Sequence, residues 1–226
     1  GLVGGIGLGI AMISFIYSIT NTTAAITLLC LAAMPFFTAL LAFLFLKEKI
    51  SLNVWISMLI ATVGIIIMAV GNTEKNSLIG FVFGLTSSIG FSIFSVTLRW
   101  RKETPKFTTV AVAGLFCFIT ATIMILVNKQ PFFATSYNSA MFSLHGVLVC
   151  LGLILYSIGS KAIQAAELTL LSLTEVIGGI FWVWLPLFGI NEIPSTNTIV
   201  GGFFLFVSLI YYSLIMRWNK RYIALN

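Results

Sequence analysis

Residues 22–71 read TTAAITLLCLAAMPFFTALLAFLFLKEKISLNVWISMLIATVGIIIMAVG, two apolar runs of membrane-spanning length joined by the charged hinge Lys47-Glu48-Lys49-Ile50-Ser51. A fainter copy occupies residues 165–212, AAELTLLSLTEVIGGIFWVWLPLFGINEIPSTNTIVGGFFLFVSLIYY. The hinges align best: Glu48, Ser51 and Asn53 recur with the same spacing as Glu192, Ser195 and Asn197.

The rest of the chain has the same character. Of 226 residues, 59% are hydrophobic and 8% charged, and the mean hydropathy is +1.10. Soluble domains carry roughly 25% charged residues, so the solvent implied here is a bilayer. Cys30, Cys117 and Cys150 all lie in apolar runs without ligand or disulfide spacing and read as small apolar fillers. Gly1 is already inside an apolar segment with no basic leader before it, which reads as a clipped beginning.

A spanning helix needs ~20 mainly apolar residues. Eight stretches qualify, at about 1–18, 23–46, 52–70, 78–98, 107–127, 141–161, 166–190 and 196–216. Hydrocarbon has no water for backbone amides, so these are expected to be helices. Threading them back and forth puts Lys47, Lys49, Arg99, Arg101, Lys102, Lys106, Lys161, Arg217, Lys220 and Arg221 on one side. Only Lys75 and Lys129 fall on the other. The positive-inside rule makes the first side, with the C-terminus, cytoplasmic. The two hinges then lie on opposite faces, as an inverted-topology repeat requires. Such a repeat has an odd number of helices. Residues 1–71 supply the last three helices of a first five-helix unit, and 72–226 a complete second unit with a short basic tail. The expected whole is an all-α membrane protein of ten helices, eight present here, with two helices of roughly 50–60 residues missing upstream.

These features resemble the EamA family of the drug/metabolite transporter superfamily. The family pattern reads here as Ala24-Ala25, Pro35-Phe36-Phe37, Leu44-Phe45-Leu46-Lys47-Glu48-Lys49, Trp55 and Gly64-Ile65. Its second appearance is Ala165-Ala166, Thr174-Glu175-Val176, Leu185-Pro186-Leu187, Glu192 and Gly201-Gly202. Val176 stands where a proline often follows the acidic residue, and the proline is displaced to Pro186. The resemblance implies export or uptake of small polar metabolites by alternating access, without a cofactor, in a multi-pass protein of a bacterial plasma membrane.

Few residues are candidates for a solute site. Glu175 lies nine residues into its expected helix, roughly 13 Å down at 1.5 Å per residue. A carboxylate there costs ~2.5–3.5 kcal/mol on insertion scales, so it binds a solute or proton, or packs protonated. Thr174 adjoins it. Glu167, near Lys161, reads as a solvated interface residue, and His145, at the start of its helix, as an interfacial hydrogen-bonding group. Gly80, Gly84, Ser88 and Ser92 recur at four-residue steps, a register that lets helix backbones approach. Ser92 and Ser95 can instead offer hydroxyls to a solute. Ser14 with Tyr17, and Tyr156 with Ser157, sit at comparable ends of repeat-related helices, as cavity lining or interfacial belt. Pro35 and Pro186 should kink their helices, as gate pivots or as packing devices.

Gly4-Gly5-Ile6-Gly7-Leu8-Gly9 falls within an apolar span, so it is a packing stripe and not a phosphate cradle. No catalytic constellation, nucleotide fingerprint or metal-ligand spacing is present. The expected partners are a small-molecule substrate and the lipid bilayer, with a homodimer left open and nucleic acid excluded. The leading reading is a secondary transporter, an exporter of amino acids or their derivatives, nucleosides or drug-like compounds. A non-transporting membrane scaffold and an intramembrane transferase are the alternatives.

Overall fold

The computed structural model describes residues 1–22, 24–70, 78–100, 106–132, 135–184 and 195–225. Among them the regular structure is all helix: α1 (Leu2–Asn21), α2 (Ala24–Leu31), α3 (Met34–Leu41), α4 (Leu52–Val70), α5 (Leu78–Trp100), α6 (Lys106–Val127), α7 (Ser136–Gly159), α8 (Ala165–Leu171), α9 (Leu173–Trp184) and α10 (Thr196–Leu225). A π-helical turn, Ala42–Leu46, continues α3 into the hinge. Among the described residues four helices, α1, α5, α6 and α7, are long and apolar enough to cross a membrane by themselves. Met34–Leu46, Leu52–Ile67 and Ile199–Ile215 are shorter apolar helices.

Two of the expected spans are broken. The first, 23–46, divides at Ala32-Ala33. Pro35 sits in the first turn of α3, where its missing N–H is tolerated, but it leaves the carbonyl four residues earlier without a donor. The backbone tightens there: Ala33 N–H donates to Cys30 O (3.1 Å) and Phe36 N–H to Ala33 O (3.1 Å). The second, 166–190, divides at Ser172, which has no proline beside it. Ser172 Oγ donates to Thr169 O (2.7 Å), and Glu175 N–H donates to Ser172 O (2.9 Å). α3 packs against α8, and α2 against α9, so the two broken helices cross with their breaks adjacent. Their shared core holds Leu28, Leu31, Met34, Met58, Leu170, Leu173 and Leu205. Pro186 and Glu192 lie outside the described residues.

α5 is the central strut. The glycine-bearing face of α1 lies along it, and a Cβ on Gly90 would stand 2.6 Å from Gly7 O. No larger residue fits that crossing without moving backbone. α4 and α10 run antiparallel. Ser208 Oγ donates to Ser57 O (2.7 Å), and a Cβ on Gly64 would meet Gly201 O at 2.6 Å. Residue numbers thus fall along α10 as they rise along α4.

Candidate functional site

The small-residue face of α5 divides into two functions. At one end Gly80 and Gly84 allow close packing against Thr22 and Cys30. Further on, Ser88 Oγ donates to Cys30 O, and Ser92 Oγ donates to Met34 O (3.2 Å) and Ser88 O (2.7 Å). Ser92 is fully buried, so its hydroxyl is committed to the break between α2 and α3.

Ser95, three residues on, has different company. Its hydroxyl lies 2.7 Å from Tyr156 Oη in the last turn of α7. The Tyr156 ring meets Phe91 edge-on at 5.1 Å and stacks on Phe94 at 5.9 Å. Glu175 is within electrostatic reach of Tyr156. Because of the break at Ser172, Glu175 occupies the first turn of α9, not the middle of a continuous helix. Helix N-termini favour anions there. Glu175 is exposed, and the described residues hold no ion pair to it. A phenol, a hydroxyl and aromatic rings therefore meet between α5 and α7, with the Glu175 carboxylate of α9 within electrostatic reach, an arrangement able to bind a solute bearing hydrogen-bond donors.

The remaining candidates lie elsewhere. Thr174 Oγ1 donates to Leu171 O (2.9 Å) and lines an apolar groove of about 310 Å³ between α8–α9 and α10, with Ile177, Phe206 and Leu209. Adjacent in sequence, Thr174 and Glu175 thus serve different surfaces. Ser14 is buried on α1. Tyr17 stacks on Phe83 at 5.1 Å and donates to Met124 Sδ (3.4 Å). Phe83 and Ser95 are roughly 18 Å apart along α5 at 1.5 Å per residue, so the two tyrosines line opposite halves of the molecule.

Two expectations change. Glu167 is buried, 9% exposed, and accepts from the Tyr212 hydroxyl; it is not a solvated partner of Lys161. Sequence could not reveal this, because Tyr212 arrives from α10. His145 is well inside α7, which begins five residues earlier than expected, at Ser136.

Sequence reading also missed an ion pair. Arg99 Nε donates to Glu48 Oε1 at 2.9 Å, with both side chains largely covered. Its Nη1 donates to Ser160 O (3.4 Å) and Lys161 O (3.3 Å). The signal available was an acidic hinge opposite a basic helix end on one face of the bilayer.

Comparison with known proteins agrees with this architecture. The profile of the EamA-like transporter family matches residues 1–70. That match covers the first 70 residues and is a likeness of this part of the chain to the family. An uncharacterized transporter of Helicobacter pylori is 28% identical over 130 residues, 58% of this chain and 44% of the relative. The chain therefore matches less than half the length of that relative. An uncharacterized transporter of Clostridium kluyveri is 24% identical, covering 92% of this chain and 69% of the relative. A pseudopaline exporter of Pseudomonas aeruginosa is also 24% identical, covering 92% and 72%. A solved crystal structure, 19% identical, superposes with a TM-score of 0.70 over 94% of this chain and 77% of its own, which establishes a shared fold. The family match and the apolar helices support a multi-pass membrane protein.

Proposed function

We propose that this chain is a secondary transporter that exports a small polar solute by alternating access between two inverted five-helix units. Its solute path runs between α5, α7 and α9. The observation that carries this reading is the Ser95–Tyr156 contact, with Glu175 in electrostatic reach of it, in a molecule with two adjacent helix breaks. Irregular backbone at membrane depth is tolerated where it is enclosed by protein or lines a cavity, and discontinuous helices are a recurring way to build a solute site.

The inverted arrangement has support in the packing. The same shift that carries Glu48 to Glu192 carries Gly64 to Ser208 and Ser57 to Gly201. The facing pair Gly64–Gly201 thus maps onto the facing pair Ser208–Ser57. A contact that maps onto itself in this way is what a two-fold axis produces. The name of the Pseudomonas relative, a pseudopaline exporter, favours export as the direction.

Glu175→Gln tests the site while keeping its shape. Cells carrying the wild-type chain should release a metabolite that cells carrying the variant retain, with flux lower by at least tenfold. The purified variant should melt at the wild-type temperature. Equal release from both would remove Glu175 from the path. A membrane scaffold would release nothing specific in either case.

A further inference from the structure

At the end of the molecule that carries Glu48, Arg99 and Lys161, one arginine joins three segments. The Arg99 guanidinium ties three segments together: the hinge after α3 through Glu48 Oε1, and the α7–α8 connection through the carbonyls of Ser160 and Lys161, with α5 supplying the arginine itself. Val96, one turn before Arg99 on α5, belongs to a small apolar cluster with Ala42 and Ala165, against which Leu41 and Leu46 pack. Each of those buried residues belongs to a segment that Arg99 ties, or to the helix beginning just after it. Ser95, which touches Tyr156, lies one helical turn from Arg99, about 6 Å along the axis. The clasp therefore sits over the candidate solute site.

We infer that Arg99 is a gating residue: its clasp on Glu48 and the 160–161 carbonyls holds this end shut, and its release opens the solute site to that side. The inference rests on the transporter reading above. Three physical points support it. A fork of guanidinium donors shared between a carboxylate and two carbonyls fixes geometry closely. Yet a half-buried ion pair yields little net free energy, because desolvation offsets most of its attraction. Such a contact can register two states without locking either. The third point is the hinge. Glu48 follows a π-helical turn and Lys47, whose φ of 53° is left-handed. π-turns and left-handed residues concentrate where backbones change conformation, so the Glu48 side of the clasp is mounted on a pivot.

The test uses Ser95→Cys as a reporter in a chain whose Cys30, Cys117 and Cys150 are replaced by alanine, reconstituted in vesicles. A membrane-impermeant maleimide is added from the Arg99 side. With the clasp intact, labelling should be slow. Arg99→Ala and Glu48→Ala should each speed it at least fivefold, and Arg99→Lys, which keeps the charge but not the fork, should fall between. High salt should speed labelling of the reporter with its clasp unmutated, which also serves if a neutralised variant fails to fold. Labelling unchanged by both neutralisation and salt would overturn the inference. Since no solute is involved, a chain that opens but never transports would fail the functional proposal and keep the clasp. A chain that transports with unchanged labelling would do the reverse.

Discussion

Pro35 removes an amide from the helix that 23–46 would otherwise form, and Ser88 and Ser92 on α5 donate to carbonyls on either side of the resulting break. Inter-helix hydrogen bonds inside membranes contribute on average about 0.6 kcal/mol and at most about 1.7. Ser88→Ala should therefore lower stability by roughly 1 kcal/mol, read as a lower melting temperature in detergent. Thr38, one turn after Met34, provides the opposite case. Its hydroxyl is fully buried with no hydrogen-bond partner. Thr38→Val removes an unpaired polar atom at nearly constant shape, so stability should hold or rise by up to ~1 kcal/mol. A marked loss would mean that the hydroxyl has a partner in the membrane. The stripe Gly80–Gly84–Ser88–Ser92 was legible in sequence because spacing alone defines it. What distinguishes Ser92 from Ser95 was not, since their partners, Met34 and Tyr156, lie about sixty residues away in opposite directions.

At the scale of elements, the long apolar runs were readable and their interruptions only partly so. Hydropathy reports which residues avoid water, and a broken helix avoids it as well as a continuous one. Pro35 announced one break; Ser172 announced nothing, because the turn there is closed by its own hydroxyl and by the Glu175 amide. The end of the π-turn was equally silent. Lys47 closes it with a left-handed backbone, a conformation that costs a residue with a Cβ about 1 kcal/mol. Glycine is free of that cost but loses more chain entropy on folding. Lys47→Gly should raise the stability by roughly 0.5–1 kcal/mol, visible as a higher melting temperature in detergent. A fall would show that the Lys47 ammonium contributes more at this end than its backbone costs. Because the same residue borders the Glu48 pivot, the variant should also change the rate at which the Ser95→Cys reporter is labelled.

For the whole molecule, the argument turns on direction. The basic residues split unevenly between two sides, and the two hinges share a sequence but were assigned to opposite faces. Glu48, Arg99 and Lys161, assigned to one face by charge counting, do meet at one end of the structure. The antiparallel contact of α4 and α10 puts residue 51, just before α4, and residue 195, just before α10, at opposite ends. If those ends are opposite sides of a bilayer, an impermeant thiol reagent should modify Ser51→Cys only from the cytoplasm and Ser195→Cys only from outside. Both variants would be made in the chain lacking Cys30, Cys117 and Cys150, of which Cys150 is exposed. Modification of both from one side would contradict the antiparallel pairing, and with it the inverted relation of the two units. Modification from opposite sides but with the senses exchanged would leave the repeat intact and refute only the charge-based orientation. The two results separate because packing fixes the relation between the hinges, while only the placement of lysine and arginine fixes which of them faces the cell.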